Sequence, residues 1–124
     1  MAFFSWLPWP GTVAEATERL IATHNPRWQL GGGNGIYLES LPQLYAAGFS
    51  AFETFSYDLD VAYSAEAWRG RIRASAGVGA SLAPAEVEAF DAELARLLEG
   101  SFPGDVLQIP HRVFAILGTR APAS

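Results

Sequence analysis

The hydrophobic positions of this chain recur with two periods, and each period predicts a different kind of element. Spacings of three and four residues predict amphipathic helices, whereas strict alternation predicts strands with two distinct faces. A Thr-x-x-Glu capping box opens the first helix at Thr12, and Asn25-Pro26 ends it. The predicted apolar side of this helix consists of Val13, Thr17, Leu20, Ile21 and His24.

The longest alternating segment predicts a strand over residues 49–61. Its odd-numbered positions form one nearly continuous apolar face, which only Glu53 interrupts. Because Asp58 and Asp60 both occupy even-numbered positions, their carboxylates face the same way. They could supply a general base, and a solvated strand edge explains them equally well.

Capping and breaking residues delimit the remaining elements. Ser40 and Gln43 predict the start of a short helix, after which Gly48 suits the left-handed C-terminal position. We expect the last two strands to pair antiparallel, with the two helices between them. A strand at residues 1–4 has no apolar partner nearby in sequence, which indicates a sheet whose other strands lie elsewhere. The further predicted elements are a strand over 1–4, a loop over 31–35, a helix from Ser64 to about Ala74, a helix from Pro84 closed by Gly100, and a strand over 106–117.

Composition excludes several classes of function. The 124 residues are sufficient for one domain, and half of them are hydrophobic. The net charge is -5, so we expect no nucleic-acid partner. No apolar run is long enough to cross a bilayer, and no membrane partner is expected. The chain has no cysteine, which excludes disulfides and fits a cytoplasmic location. It also has no lysine, which excludes Schiff-base chemistry by this chain.

The segment over residues 55–75 resembles the C-terminal region of bacterial small-molecule class I S-adenosylmethionine-dependent methyltransferases. Residues 6–11, 47–49 and 110–113 fit the same template, so the resemblance covers nearly the whole chain. It implies an α/β fold that is the C-terminal part of a seven-stranded, Rossmann-like methyltransferase sheet, ending in an antiparallel strand pair with helices between. Residues 1–4 would then end the fifth strand. Residues 1–120 would form a partial domain lacking the cofactor-binding half, and residues 121–124 a loose tail.

The chain departs from this family at the cofactor site. In the family, an acidic strand end and a Gly-x-Gly turn that opens a helix hold the cofactor. Here the glycine-rich segments 31–33 and 77–79 both follow helices. We therefore expect no cofactor site in this chain alone, and S-adenosylmethionine could enter only through a partner.

The resemblance implies that this half of the fold lines the acceptor pocket. Trp6 and Trp9 lie in a proline-rich loop at a strand end, where binding crevices form, although both indoles could instead cover a partner. Helical spacing places Trp68 and Arg71 on one face. The arginines could hold an anionic group, or could pair with Asp58, Asp60 or Glu66. The candidate substrate-binding residues are Trp6, Trp9, Trp68, Arg71, Arg73 and His111.

No catalytic residue follows from the sequence. His24 and His111 have no spacing that is typical of metal ligands, so no metal is expected, and a histidine in such a position is more often structural than a base.

The favoured interpretation is a small subunit that completes the fold and substrate pocket of a separately encoded methyltransferase-like chain in natural-product biosynthesis. Truncation and size are similar to those of the paired chains that close aziridine rings in azinomycin-type pathways. Ring closure would proceed by intramolecular displacement of sulfate or phosphate by an amine. The alternatives are methyl transfer by the assembled complex, a non-catalytic regulatory partner of a complete methyltransferase, and an intact methyltransferase of which this chain is a fragment or that forms a swapped homodimer.

Overall fold

The computed structural model describes residues 1–28 and 31–122 and shows a mixed α/β fold. Within that part of the chain there are four helices and one three-stranded antiparallel sheet. A 3₁₀ turn over Leu38–Ser40 precedes the second helix. The elements in chain order are β1 (Ala2–Trp6), α1 (Val13–His24), α2 (Leu41–Ala46), β2 (Phe49–Tyr63), α3 (Ala65–Arg73), α4 (Pro84–Ser101) and β3 (Leu107–Arg120).

The C-terminal strand β3 lies in the centre of the sheet. β1 and β2 flank it, and both run antiparallel to it. The predicted antiparallel pairing of the last two strands, with α3 and α4 between them, is therefore confirmed. β1 and β2 run parallel to each other and do not pair. The described sheet has three strands, so a seven-stranded sheet would need four strands from elsewhere.

A β-bulge in β2 changes which side chains share a face. The pairing with β3 shifts between Ser50 and Glu53, and Ala51 adopts a positive φ of 54°. The predicted alternation holds from Phe52 onward but is wrong before the bulge. Phe49 and Phe52 lie on the same face, since both contact the position at which Gly118 would carry a Cβ.

Three helices cover one end of one sheet face and form the core there. The buried side chains come from α1, α3, α4 and the first residues of β3. Trp68 is fully buried at their junction, and its indole Nε1 donates to Thr17 Oγ1 at 3.0 Å. The largest members of this core are Ile21, Trp68, Ile72, Phe90, Leu94, Leu98, Leu107 and Ile109.

Two of the predicted helix caps are confirmed and two helix boundaries are wrong. Thr12 and Ser64 accept hydrogen bonds from the backbone N–H groups of Glu15 and Ala67. Ser40 makes no capping bond, because it is already part of the 3₁₀ turn that leads into α2. Gly100 does not close α4, which continues through it to Ser101.

Part of the segment between α1 and β2, residues 34–37, packs on the other face of the sheet. The ring of Tyr37 stacks on Phe3 with 4.3 Å between centroids. Arg112 of β3 donates to the carbonyl of Asn34, and Gly35 is buried against the Arg112 side chain. Phe114 lies buried on this covered face.

The helix-covered face has an open end. Five large apolar side chains lie there on neighbouring strands, and each is 39% to 53% exposed. Register places them all on the same side of the sheet. This apolar strip consists of Phe4, Phe55, Tyr57, Leu59 and Leu117.

The predicted loose tail is only partly described. The N–H of Ala121 donates to the carbonyl of Gly48 at 3.2 Å, so the tail begins beside the start of β2. Residues 123 and 124 lie outside the described residues. In the described ranges no helix combines the length and apolar character that a membrane crossing requires.

Candidate functional site

Arg71 is the centre of an aromatic and polar cluster on the helix-covered face. It lies in the last turn of α3, and its guanidinium carbon is 4.9 Å from the ring centroid of Trp6 and 5.4 Å from that of Phe4. The rings of Tyr63 and Trp68 are each 5.8 Å away. Four aromatic rings thus surround one cation, an arrangement that offsets part of the cost of removing the charge from water.

Two hydrogen bonds orient the guanidinium. Nη1 of Arg71 donates to the hydroxyl of Tyr63 at 2.6 Å and to Nε2 of His111. The other ring nitrogen of His111, Nδ1, lies 2.8 Å from the carbonyl oxygen of Ile109. Because a carbonyl oxygen can only accept, Nδ1 carries the proton and Nε2 is the acceptor.

His111 is neutral in this arrangement. The residue is fully buried, with the ring of Phe4 stacked on it at 4.7 Å. Burial lowers the pKa of His111 from its ordinary value, the bond to Ile109 opposes that shift, and the charge of Arg71 adds to it. A neutral imidazole is the form that can accept a hydrogen bond from Arg71.

Arg71 borders a cavity of about 210 Å³ between β1, α1 and the glycine-rich segments. Most of the large lining side chains are aromatic: Phe4, Trp6, Trp28 and Tyr37. The polar lining side chains are Ser5, Glu18, Arg71 and Ser75.

Glu18 places a negative charge on the same cavity. Its Oε2 accepts from the indole Nε1 of Trp6 at 2.7 Å, and its Oε1 accepts from the backbone N–H of Gly32 at 2.7 Å. The carboxylate is therefore fixed against β1 and the glycine-rich loop. Arg71 and Glu18 flank the same indole, one over its face and the other at its N–H edge.

The structure brings four of the six candidate residues together. Trp6 and Arg71 line the cavity, whereas Trp68 and His111 are fully buried behind Arg71. In these positions Trp68 and His111 can hold Arg71 in place, but they have no exposed surface for a ligand.

The other two candidates lie elsewhere. Arg73 pairs with Asp91 at 2.8 Å, because the helix turns its side chain toward α4 instead of the cavity. Arg69 binds the same carboxylate with two hydrogen bonds, and these arginines lower the pKa of Asp91. Trp9 is 45% exposed in the loop before α1 and is not among the lining residues.

Sequence reasoning missed Phe4, Glu18 and Tyr63. Phe4 could have been found, since it alternates with Trp6 along β1 and must share its face. Glu18 and Tyr63 carry no local signal. Glu18 contacts Trp6, which is 12 positions away along the chain, and Tyr63 contacts Arg71, which is 8 positions away.

The glycines at 77 and 79 have a packing role. A Cβ at Gly79 would lie 2.0 Å from the carbonyl oxygen of Arg73, and one at Gly77 would lie 2.9 Å from Ile21. These close approaches explain why both positions are glycine. The indole of Trp28 lies beside these glycines. Its Nε1 is the one buried side-chain polar atom without a hydrogen-bond partner within residues 1–28 and 31–122.

Asp58, one of the two candidate acids, and His24 have structural partners. Asp58 pairs with Arg112 at 2.7 Å, and this bond lowers the pKa of Asp58. His24 lies 3.1 Å from Glu93 and packs edge-on against Phe90. In the part of the chain that the structure describes, no group of three or more acidic or histidine side chains could hold a metal ion.

No protein-family model matches the chain, and searches of the curated proteins and of the solved structures give no significant match.

Proposed function

We propose that this chain is a subunit that completes the sheet and the small-molecule pocket of a methyltransferase-like partner chain. The observation that carries the proposal is the apolar strip, which lies next to the cavity at Arg71. Phe4 belongs to both. A partner that covered the strip would therefore also form part of the wall of the cavity.

The free edge of β1 offers backbone hydrogen bonds to such a partner. Met1 exchanges backbone hydrogen bonds with Ile116, and the N–H of Leu7 donates to the carbonyl of Pro110. In an antiparallel pair, residues that bond to the partner strand alternate with residues that do not. The N–H and C=O groups of Ala2, Phe4 and Trp6 consequently point away from β3. Within the described residues β1 pairs with β3 alone, so these groups can extend the sheet to a further strand.

The surface of the chain is larger than a compact monomer requires. Its accessible area is 7623 Å², whereas a monomer of 13.4 kDa exposes about 6,500 Å². The excess of roughly 1,100 Å² is similar to the roughly 800 Å² that each side of a standard interface buries.

Strand directions support a methyltransferase-like partner in particular. The resemblance implies that the final strand runs antiparallel to its neighbours, and β3 runs antiparallel to both β1 and β2. The missing strands would then add at the outer edge of β1.

Aziridine ring closure is the reaction that we favour for the assembly. The amine nitrogen of the substrate attacks the carbon that bears a sulfate or phosphate, the new N–C bond forms as the C–O bond breaks, and the group departs as an anion while a base takes the amine proton. Arg71 would stabilise the departing anion. Methyl transfer with S-adenosylmethionine bound by the partner is the alternative, and the two differ in whether the product loses the leaving group or gains a methyl group.

Co-expression with a methyltransferase-like chain from a neighbouring gene tests the proposal. The chain expressed alone should self-associate or bind a hydrophobic dye, and the partner should convert it to a defined heteromer. A compact monomer that binds neither the dye nor the partner would contradict the proposal. A defined complex of two copies that persists in the presence of the partner chain would assign the strip to self-association instead.

A pair of neighbouring substitutions on β2 makes the test specific to the strip. Phe55→Glu places a charge in the strip and should abolish assembly, because an unpaired charge in a core-like interface costs several kcal/mol. Thr54→Glu is the matched control, since Thr54 is exposed on the opposite face. Equal assembly by both variants would show that the strip is not the interface.

A further inference from the structure

We infer that the cavity beside Arg71 binds a small zwitterionic molecule, with an anionic group on Arg71 and an amine on Glu18. The inference rests on the proposed function only in taking this cavity as the substrate pocket. The proposed reaction already requires an amine and an anionic group, and the inference adds the residue that holds each group and the small size of the ligand.

Arg71 differs from the other arginines in being half-buried without a carboxylate. Four of the eight arginines make salt bridges within the described residues. The remaining four are Arg27, Arg71, Arg96 and Arg120, and of these only Arg71 is not exposed.

The unused donors of Arg71 match an oxyanion. A guanidinium has five N–H donors, and the two hydrogen bonds of Arg71 both come from Nη1. Nε and Nη2 therefore retain three N–H groups with no acceptor among residues 1–28 and 31–122. A carboxylate, sulfate or phosphate can take two such donors side by side, which is the geometry that arginine favours.

Glu18 provides the complementary half of the site. Each oxygen of its carboxylate accepts one hydrogen bond from the protein and has a second lone-pair direction available. Those protein bonds fix the carboxylate without neutralising its charge. An ammonium group, or a neutral amine that donates, is the ligand group that it would hold.

The geometry of Trp6 sets the separation of the two ligand groups. Arg71 lies over the face of the indole and Glu18 at its N–H edge, so a bound molecule must extend past one indole to reach both. A volume of about 210 Å³ is below the roughly 300–1,000 Å³ of pockets for drug-sized ligands. The molecule is thus short, with a compact apolar centre that packs on the aromatic lining.

Calorimetry with three related probes tests the inference. O-Phosphoethanolamine carries both charges, ethyl phosphate only the anion, and ethanolamine only the amine. The protein is used in the form in which it is purified, alone or with its partner. We expect O-phosphoethanolamine to bind about tenfold more tightly than either single-charge probe, which corresponds to one additional charged hydrogen bond.

Variants assign each half of the ligand to its residue. Arg71→Ala should weaken both phosphate probes at least tenfold, whereas Arg73→Ala, on the same helix but directed at Asp91, should change neither. Glu18→Gln should remove the advantage of O-phosphoethanolamine over ethyl phosphate without weakening ethyl phosphate.

The outcomes separate this inference from the proposed function. Absence of saturable O-phosphoethanolamine binding by the wild-type chain, or equal binding of ethyl phosphate, overturns the inference without any variant having to fold. Binding by a lone, dye-negative monomer would overturn the partner proposal and leave the ligand site intact.

Discussion

The same substitution, glycine to alanine, should have opposite effects on stability at Gly79 and Gly100. Gly100 lies inside α4 with nothing within 4 Å of its Cβ position. Alanine there loses less backbone entropy on folding, which should stabilise the protein by about 0.5–1 kcal/mol. Gly79 lies in the turn after α3, where the new Cβ would meet a backbone oxygen at 2.0 Å.

The cost at Gly79 follows from what must move. The clash is with the carbonyl of Arg73 at the end of α3, and no flexible side chain can relieve it. The turn must open and lose backbone bonds such as those from Val78 and Ala80 to the carbonyl of Ser75. Two weakened bonds and the strain together cost about 2–4 kcal/mol.

Urea unfolding followed by tryptophan fluorescence measures both effects. Wild type and variants must be compared in the same assembly state. The transition midpoint should rise for Gly100→Ala and fall for Gly79→Ala with the slope unchanged. A destabilised Gly100→Ala protein, or a Gly79→Ala protein as stable as wild type, would refute this account of the two glycines.

Two further predictions concern the buried polar groups. Burial and the charge of Arg71 lower the pKa of His111 in the folded protein. The imidazole therefore binds a proton more readily in the unfolded chain. The free energy of unfolding should consequently fall as pH drops below about 6.5 toward the folded pKa. Denaturation at pH 7.5 and 5.5 should show this loss in wild type and in His24→Gln but much less of it in His111→Gln; an equal loss in all three would contradict it. Trp68→Phe removes the indole bond to Thr17 and should cost about 1–2 kcal/mol. A double-mutant cycle with Thr17→Val should give a coupling of about 1 kcal/mol, and a coupling of zero would show that this bond contributes nothing.

The sequence predicted the order of elements because their signals are local. Thr12 and Ser64 act on N–H groups three residues away, and the alternation of β2 is visible within its own segment. The bulge at Ala51 has no such signal, since it arises only from the register with β3. A single extra residue was enough to reverse the predicted face of Phe49.

The candidate site was harder to predict because helical spacing shows which residues share a face but not what that face contacts. Spacing placed Arg71 with Trp68 but could not say which helix face meets the cavity. Asp91 of α4 binds Arg73, so the face that carries Arg73 is directed at α4 and not at the cavity. Glu18 depends in the same way on Trp6, which no pattern on α1 reveals.

The central position of β3 has a consequence for the order of folding. β1 and β2 bond only to β3 among the described strands, so neither has a sheet to join until the last strand in chain order is available. The first contacts of β1 close a loop of more than 100 residues, as in the bond between Met1 and Ile116. Closing such long loops is slow, and the unpaired strands stay exposed meanwhile. We therefore expect the helices to form first, and the rate of sheet formation to be limited by the arrival of β3.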